Sequence, residues 1–179
     1  IAQIVGEQKA RYLDMGTFHS VFSHILRRES AVIGYDSNFT IYDQSDSRSL
    51  VKAIIKEMKL DDKTYKPAVV ADRISMAKNH LILPAAYRQS TARMTEDARR
   101  QMPKTGEIYE VYCRRCRAAN AMDFDDLLVN TFLLFNHHPD VLARYEERYK
   151  YVLVDEYQDT NKVQQQIVWL LTRQRQKIC

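Results

Sequence analysis

Apolar residues along the 179-residue chain recur mostly at helical spacing. From His19 the series Val21, Phe22, Ile25, Leu26 and Ile33 lines one face of a helix, and Gly34 is a natural stop. Leu50, Val51, Ile54, Ile55 and Met58 repeat the pattern behind Asp43 or Ser45, either of which can accept from the free N–H groups of a first turn. Pro67 suits the first turn of a helix carrying Val70, Ile74 and Ala77, because it has no N–H to lose there. Residues 84–103 are polar and bounded by prolines, which predicts a short helix and a loop. Helices follow over 105–119 and 124–135, the second behind Asp123 as N-cap, with Asp125 and Asp126 near the positive end of its dipole. His137-His138-Pro139 breaks the chain before two more helices, over 141–149 and 164–173.

Extended segments are few. Residues 12–18 read as a short strand ending in a polar turn, and Phe39–Tyr42 as a brief extended piece. Tyr151-Val152-Leu153-Val154, apolar throughout and followed by acids, predicts a strand buried on both faces, as in a parallel sheet. Lys177–Cys179 predicts the start of another. The expected fold is therefore mostly α with a small parallel β component. Strand-bearing ends enclose a helical middle, as when a helical domain is inserted into an α/β domain.

Composition supports the helical reading. Four glycines and four prolines are about half the usual share, too few for the turns of a β-sandwich or barrel. Hydrophobic residues at 45% and charged residues at 28% exclude wholesale disorder. No run approaches the ~20 apolar residues needed to span a bilayer, and the N-terminus lacks the pattern of a signal peptide. The expectation is a soluble, cytoplasmic protein. A first residue other than Met and an abrupt end at Ile178-Cys179 suggest a piece of a longer one.

The formal charge of +4 resides in one stretch. Between Arg88 and Arg117 eight basic residues, among them Arg99, Arg100, Arg114 and Arg115, face four acids. That stretch is either a solvated helix face or a contact for a polyanion such as DNA, held through counterion release. Cys113 and Cys116 form a C-x2-C, but tetrahedral zinc needs a second pair and the one remaining cysteine is Cys179. Free thiols are expected.

The chemistry centres on Asp155-Glu156, two carboxylates closing an apolar segment. In nucleotide-hydrolysing α/β proteins the ligand lies beyond the C-terminal ends of the strands. There an Asp can hold Mg²⁺, a hard cation that prefers oxygen ligands, and a neighbouring Glu can orient the attacking water. An acidic turn with no such role has the same local sequence.

The neighbouring residues narrow this choice. Asp155-Glu156-Tyr157-Gln158-Asp159-Thr160-Asn161 resembles the DEYQDTN form of motif II in superfamily 1 DNA helicases of the UvrD/PcrA/Rep group. Gly16-Thr17-Phe18-His19-Ser20 is similar to that group's GTFHS element, and Asp123-Phe124-Asp125-Asp126-Leu127-Leu128 to its DFDDLL element. Phe39 to Lys56 and Ala77-Lys78-Asn79 follow the same texture, so the resemblance covers essentially the whole chain.

The resemblance implies a layout in which residues 1–23 and 121–179 belong to a RecA-like motor domain, a truncated P-loop NTPase fold, and residues 24–120 to the helical insertion termed 1B. It implies that Asp155 binds Mg²⁺ through water, that Glu156 activates water for ATP hydrolysis, and that Gln158 and Asp159 link the nucleotide site to neighbouring motifs. Thr17, Phe18 and His19 would lie along a single-stranded DNA track. Phe18 reads equally as core packing, and His19 as part of a capped helix start. Asp123, Asp125 and Asp126 read mainly as capping and anchoring groups.

The activity implied is an ATP-dependent 3′→5′ DNA helicase acting on single-stranded and duplex DNA in repair or replication restart. The alternatives are a non-catalytic docking module for DNA or protein, and part of a helicase–nuclease fusion. A phosphate-cradling G-x-x-x-x-G-K-[ST] is absent: none of Gly6, Gly16, Gly34 and Gly106 is followed by Lys. The chain alone is therefore expected not to hydrolyse ATP.

Overall fold

The structure, a computed structural model, describes residues 13–174. Helix α1 (Phe18–Arg28) opens where the Thr17 hydroxyl accepts from the Ser20 N–H at 3.3 Å, and it buries Phe22, Ile25 and Leu26. A one-turn helix α2 (Ser30–Ile33) closes on Gly34, whose φ of 67° lies in the left-handed region that glycine adopts without strain. Strand β1 (Thr40–Tyr42) leads into α3 (Gln44–Glu57). There Asp43 and Asp46 cap reciprocally, each carboxylate accepting the other's N–H at 2.8 and 3.0 Å. Pro67 stands at the start of α4 (Pro67–Asn79).

Next come α5 (Pro84–Gln89), α6 (Thr91–Arg99), α7 (Thr105–Ala118), strand β2 (Ala121–Asp123) and α8 (Phe124–His137). Helix α9 (Pro139–Arg148), a 3-10 turn (Tyr157–Asp159) and α10 (Lys162–Thr172) complete the order. Strand β1 pairs in parallel with β2 in the register Thr40↔Ala121, Ile41↔Met122 and Tyr42↔Asp123. It is the one sheet among the described residues.

Four expectations need correction. Residues 13–15 form no strand, because the chain turns directly into the capped start of α1; Tyr12 lies outside the described residues. The helix expected to reach Ile33 breaks at Glu29. Residues 84–103 hold two helices, since Ser90 ends α5 and caps α6 by accepting from the Arg93 N–H at 3.4 Å. The segment 151–154 is not a strand buried on both faces. Tyr151 and Leu153 are 67% and 80% exposed, Val152 forms a single bridge, and Asp155 already begins a turn. An apolar run of that length becomes a buried strand only between neighbours that satisfy its N–H and C=O groups, and no second described strand lies in ladder beside it. The strand expected at 177–179 falls outside the described residues.

Apolar side chains gather in two clusters. One joins α1, α8, α9 and α10 through Phe22, Leu26, Leu128, Phe135, Leu142 and Ile167. The other joins α3, α4, α5 and α7 through Val51, Ile54, Ile74, Tyr87, Ile108 and Tyr112. The chain passes out of the first cluster along β1 and back along β2, so the short parallel pair marks where the two meet. No helix among the described residues is long and apolar enough to cross a membrane.

Candidate functional site

The acidic loop is built from short local bonds. Residues 151–154 are extended, and the Asp155 carboxylate accepts from the N–H of Glu156 at 3.0 Å. Glu156 takes φ 50° and ψ 42°, a left-handed conformation that costs a non-glycine residue free energy and that concentrates at functional sites. Asp159 N–H then donates to the Glu156 carbonyl at 2.9 Å, and Thr160 donates to the Tyr157 carbonyl from both its N–H, at 3.1 Å, and its hydroxyl, at 2.6 Å. Asn161 caps α10, exchanging bonds with Gln164 at 2.8 and 2.9 Å. Asp155, Glu156, Gln158 and Asp159 are all exposed, and no ion pair among the described residues neutralises the three carboxylates.

Those carboxylates suit a hard cation. Mg²⁺ is commonly held by one or two carboxylates together with substrate phosphates and water, rather than by a closed protein cage. Among the described residues no group of three or more His, Cys, Asp or Glu side chains is placed to hold a metal ion.

The GTFHS element sits at the start of α1. Thr17 is its cap, while Phe18 and His19 are half-buried. Phe18 packs against the first cluster with its ring 5.6 Å from that of Phe22. His19 stands edge-on to Phe124 at 5.6 Å with an interplanar angle of 89°, and burial lowers its pKa against the opposing pull of Asp125. Thus GTFHS and DFDDLL, a hundred residues apart, are in contact.

The DFDDLL element is anchored by Lys78, which is 1% exposed. Its ammonium lies 2.6 Å from Asp123 and 2.7 Å from Asp126, with the Tyr112 ring centroid at 4.9 Å. Tyr112 donates its hydroxyl hydrogen to Asp123 at 2.7 Å. Although burial opposes the charge on Lys78, the two carboxylates raise its pKa well above the ordinary lysine value. Burial also opposes ionisation of Asp123, yet Lys78 holds that carboxyl below the usual range. Burial pushes Asp126 up to about 6, as expected when two carboxylates share one cation. Asp123 and Asp126 also form a capping box at 2.7 and 3.2 Å, so their capping role is observed directly.

Helix α4 makes a second junction. Asn79 donates to Asp125 at 3.0 Å and accepts from Asn161 at 2.6 Å. Sequence reasoning placed Lys78 and Asn79 only by texture. The available signal was a lysine at helical spacing from Val70, Ile74 and Ala77, a buried position that requires a carboxylate partner.

The four arginines proposed for DNA divide evenly. Arg100 pairs with Glu96 at 3.0 Å, and Arg115 pairs with Glu57 through two nitrogens. Arg99 and Arg114 are exposed and have no acidic partner among the described residues. Arg114 lines a 350 Å³ cavity with Arg117, Tyr35 and Tyr109. Cys113 is half-buried and Cys116 buried; both are free thiols, and burial pushes each up to about 12.

The family model of the UvrD/REP helicase N-terminal domain matches residues 1–179, and the chain belongs to that family. Among individual proteins it is 44% identical over 169 residues to the ATP-dependent DNA helicase UvrD1 of Mycobacterium tuberculosis, covering 94% of this chain and 21% of that protein. It is 39% identical to the ATP-dependent DNA helicase PcrA of Staphylococcus aureus over 180 residues, covering 100% of this chain and 24% of the relative. PcrA of Leuconostoc citreum is also 39% identical, over 178 residues, with 99% and 23% covered. The chain thus spans about a fifth to a quarter of the length of these relatives.

Proposed function

We propose that this chain supplies the acidic half of the ATP site, and part of the DNA track, of an ATP-dependent 3′→5′ DNA helicase. ATP and Mg²⁺ are its substrate and cofactor, and single-stranded and duplex DNA its macromolecular partners. Residues 24–120 act as the helical insertion of a RecA-like motor domain, and residues 1–23 and 121–179 belong to that motor domain. The observation that carries this reading is the exposed Asp155–Glu156 pair, which meets no neutralising cation among the described residues and is set in a left-handed turn held by a chain of short bonds.

Asp155 would hold Mg²⁺ through water, and the bound ion would neutralise charge on the phosphates. Glu156 accepts a proton from, and orients, the attacking water, a role for which the absence of an ion pair among the described residues leaves it available. Gln158 and Asp159 link the nucleotide site to neighbouring motifs. Thr17, Phe18 and His19 contact the single strand, where burial disfavours the charged form of the His19 imidazole. Arg99 and Arg114 offer unneutralised charge to phosphates, whereas Arg100 and Arg115 offer less, because Glu96 and Glu57 lie against them. That internal neutralisation argues against a module that works by basic charge alone.

The test uses the natural full-length protein. Glu156→Gln abolishes DNA-stimulated ATP turnover and leaves ATP binding intact. Turnover retained by this variant removes the role given to Glu156. An Arg99→Ala/Arg114→Ala variant that keeps both the wild-type DNA affinity and the wild-type salt dependence removes the role given to the arginines.

A further inference from the structure

We infer that Asn79 is a positioning residue that ties the acidic loop to the start of α1, so that nucleic acid seated at His19 sets the placement of Glu156. The inference rests on the reading of the site given above and deepens it by naming how the two halves communicate.

Four segments distant in sequence converge here. Asn161 ends the acidic loop, Asn79 ends α4, Phe124 and Asp125 open α8, and His19 opens α1. Each amide in the chain has its orientation fixed by a backbone group. The Asn161 oxygen accepts from the Gln164 N–H at 2.9 Å, which leaves its nitrogen to donate to Asn79 at 2.6 Å. The Asn79 nitrogen donates to the Ser75 carbonyl and to Asp125, both at 3.0 Å, which leaves its oxygen for Asn161. Flipping Asn161 loses two bonds and flipping Asn79 loses three. Phe124, adjacent to Asp125 at the same helix start, meets the His19 ring edge-on at 5.6 Å.

The loop is stiff enough to pass on a displacement. Between Glu156 and Asn161 the backbone is closed by consecutive turns, with Asp159 bonded to Glu156 and Thr160 bonded to Tyr157. The Gln165 amide nitrogen, one turn into α10, donates to the Thr160 carbonyl at 3.1 Å. Moving Asn161 therefore moves Glu156, because few free torsions lie between them. Asn79 touches neither reacting atoms nor DNA in this arrangement. Its effect is on where Glu156 stands when the track is filled.

The polarity of the bonds supplies the test. Asn79→Asp is nearly isosteric but sets a carboxylate against Asp125 and removes the donor. Asn79→Asp/Asp125→Asn restores the links to Asn161 and to residue 125 with the amide and the carboxylate exchanged, while the bond to the Ser75 carbonyl is missing from both variants. In the natural full-length protein, ATP turnover is measured with and without single-stranded DNA, together with the KM for ATP and the half-saturating DNA concentration. Asn79→Asp lowers the ratio of stimulated to basal turnover about tenfold, the scale of one charge-assisted hydrogen bond. Basal turnover and the KM for ATP stay within about twofold, and the double variant recovers part of the ratio.

An unchanged ratio in Asn79→Asp overturns the inference. An equal fall in basal and stimulated turnover, or a loss that the double variant does not repair, overturns it too, since either marks a merely structural role. Should Asn79→Asp fail to fold, Phe124→Leu carries the test: the side chain is 49% exposed, and its loss of the His19 contact must also lower the ratio. A wild-type protein without any DNA-stimulated turnover overturns the motor reading itself, an outcome distinct from every variant result.

Discussion

The Lys78 ammonium lies 2.6 Å from the Asp123 carboxylate, a 1%-exposed cation from the helical middle set against the cap of α8. The bond crosses 45 residues and joins the two hydrophobic clusters. A buried ion pair adds little over a well-packed apolar replacement, but removing one partner leaves the other charge without compensation.

Lys78→Met should therefore cost about 3–5 kcal/mol in urea denaturation, since Asp123 and Asp126 both lose their cation. Adding Asp123→Asn and Asp126→Asn should recover part of that loss, because Asn remains a competent cap without the charge. A Lys78→Met variant within 1 kcal/mol of wild type, roughly the scale of a surface pair, would refute the assignment.

The pH dependence follows from Asp126. Its folded-state pKa, about 6, stands above the ordinary 3.8, so the folded chain binds this proton more tightly than the unfolded chain. The stabilisation it contributes is complete below 3.8 and lost as pH rises through about 6. Asp123, with a depressed pKa, acts in the opposite sense and only at more acid pH, its contribution disappearing as pH falls below 3.8. Between pH 5 and 7 the urea midpoint of wild type should fall more steeply than that of Asp126→Asn, in which no proton is taken up.

Thiol chemistry gives an independent check on burial. Only the thiolate reacts, and Cys113 and Cys116 at about 12 hold little of it. In a Cys179→Ser background, alkylation by iodoacetamide at about pH 8 should be roughly a thousandfold slower in the folded chain than in urea. Equal rates would place both sulfurs in solvent.

Gly34→Ala tests the end of α2. At φ 67° an L side chain is strained, and the added Cβ would stand 2.7 Å from Nη2 of Arg117. That guanidinium is held by the Ile33 carbonyl at 2.6 Å and stacks 4.2 Å over Tyr35. The expected loss is about 1–2 kcal/mol of unfolding free energy from the backbone, with a further decrease if Arg117 is displaced.

The 179-residue chain by itself should release no phosphate from ATP above background, because its sequence holds no G-x-x-x-x-G-K-[ST] to cradle the nucleotide. Glu156-dependent turnover by the isolated chain would contradict that reading.

Much of the helical plan is readable without coordinates. Asp43 before α3, Pro67 opening α4 and Asp123 before α8 act through bonds within one turn, so local sequence suffices to place them. Asp155 and Glu156 are legible as an adjacent exposed pair, because adjacency is a property of the chain itself. Extended segments fared worse. Residues 151–154 have the composition of a buried strand but leave Tyr151 and Leu153 in solvent, while the three-residue β2 went unread. A strand is defined by its neighbours, and a neighbour is not a local property.

Sequence alone thus determined the capped starts of α3, α4 and α8 and placed an adjacent acidic pair after an apolar run, all features set within a few residues of chain. The tertiary structure decided which carboxylates Lys78 would hold, that Asn79 would reach Asn161 across 82 residues, and that His19 would meet Phe124. Those contacts form only when separate helices pack, and their energies come from burial and directional bonds between groups that no sequence spacing brings together.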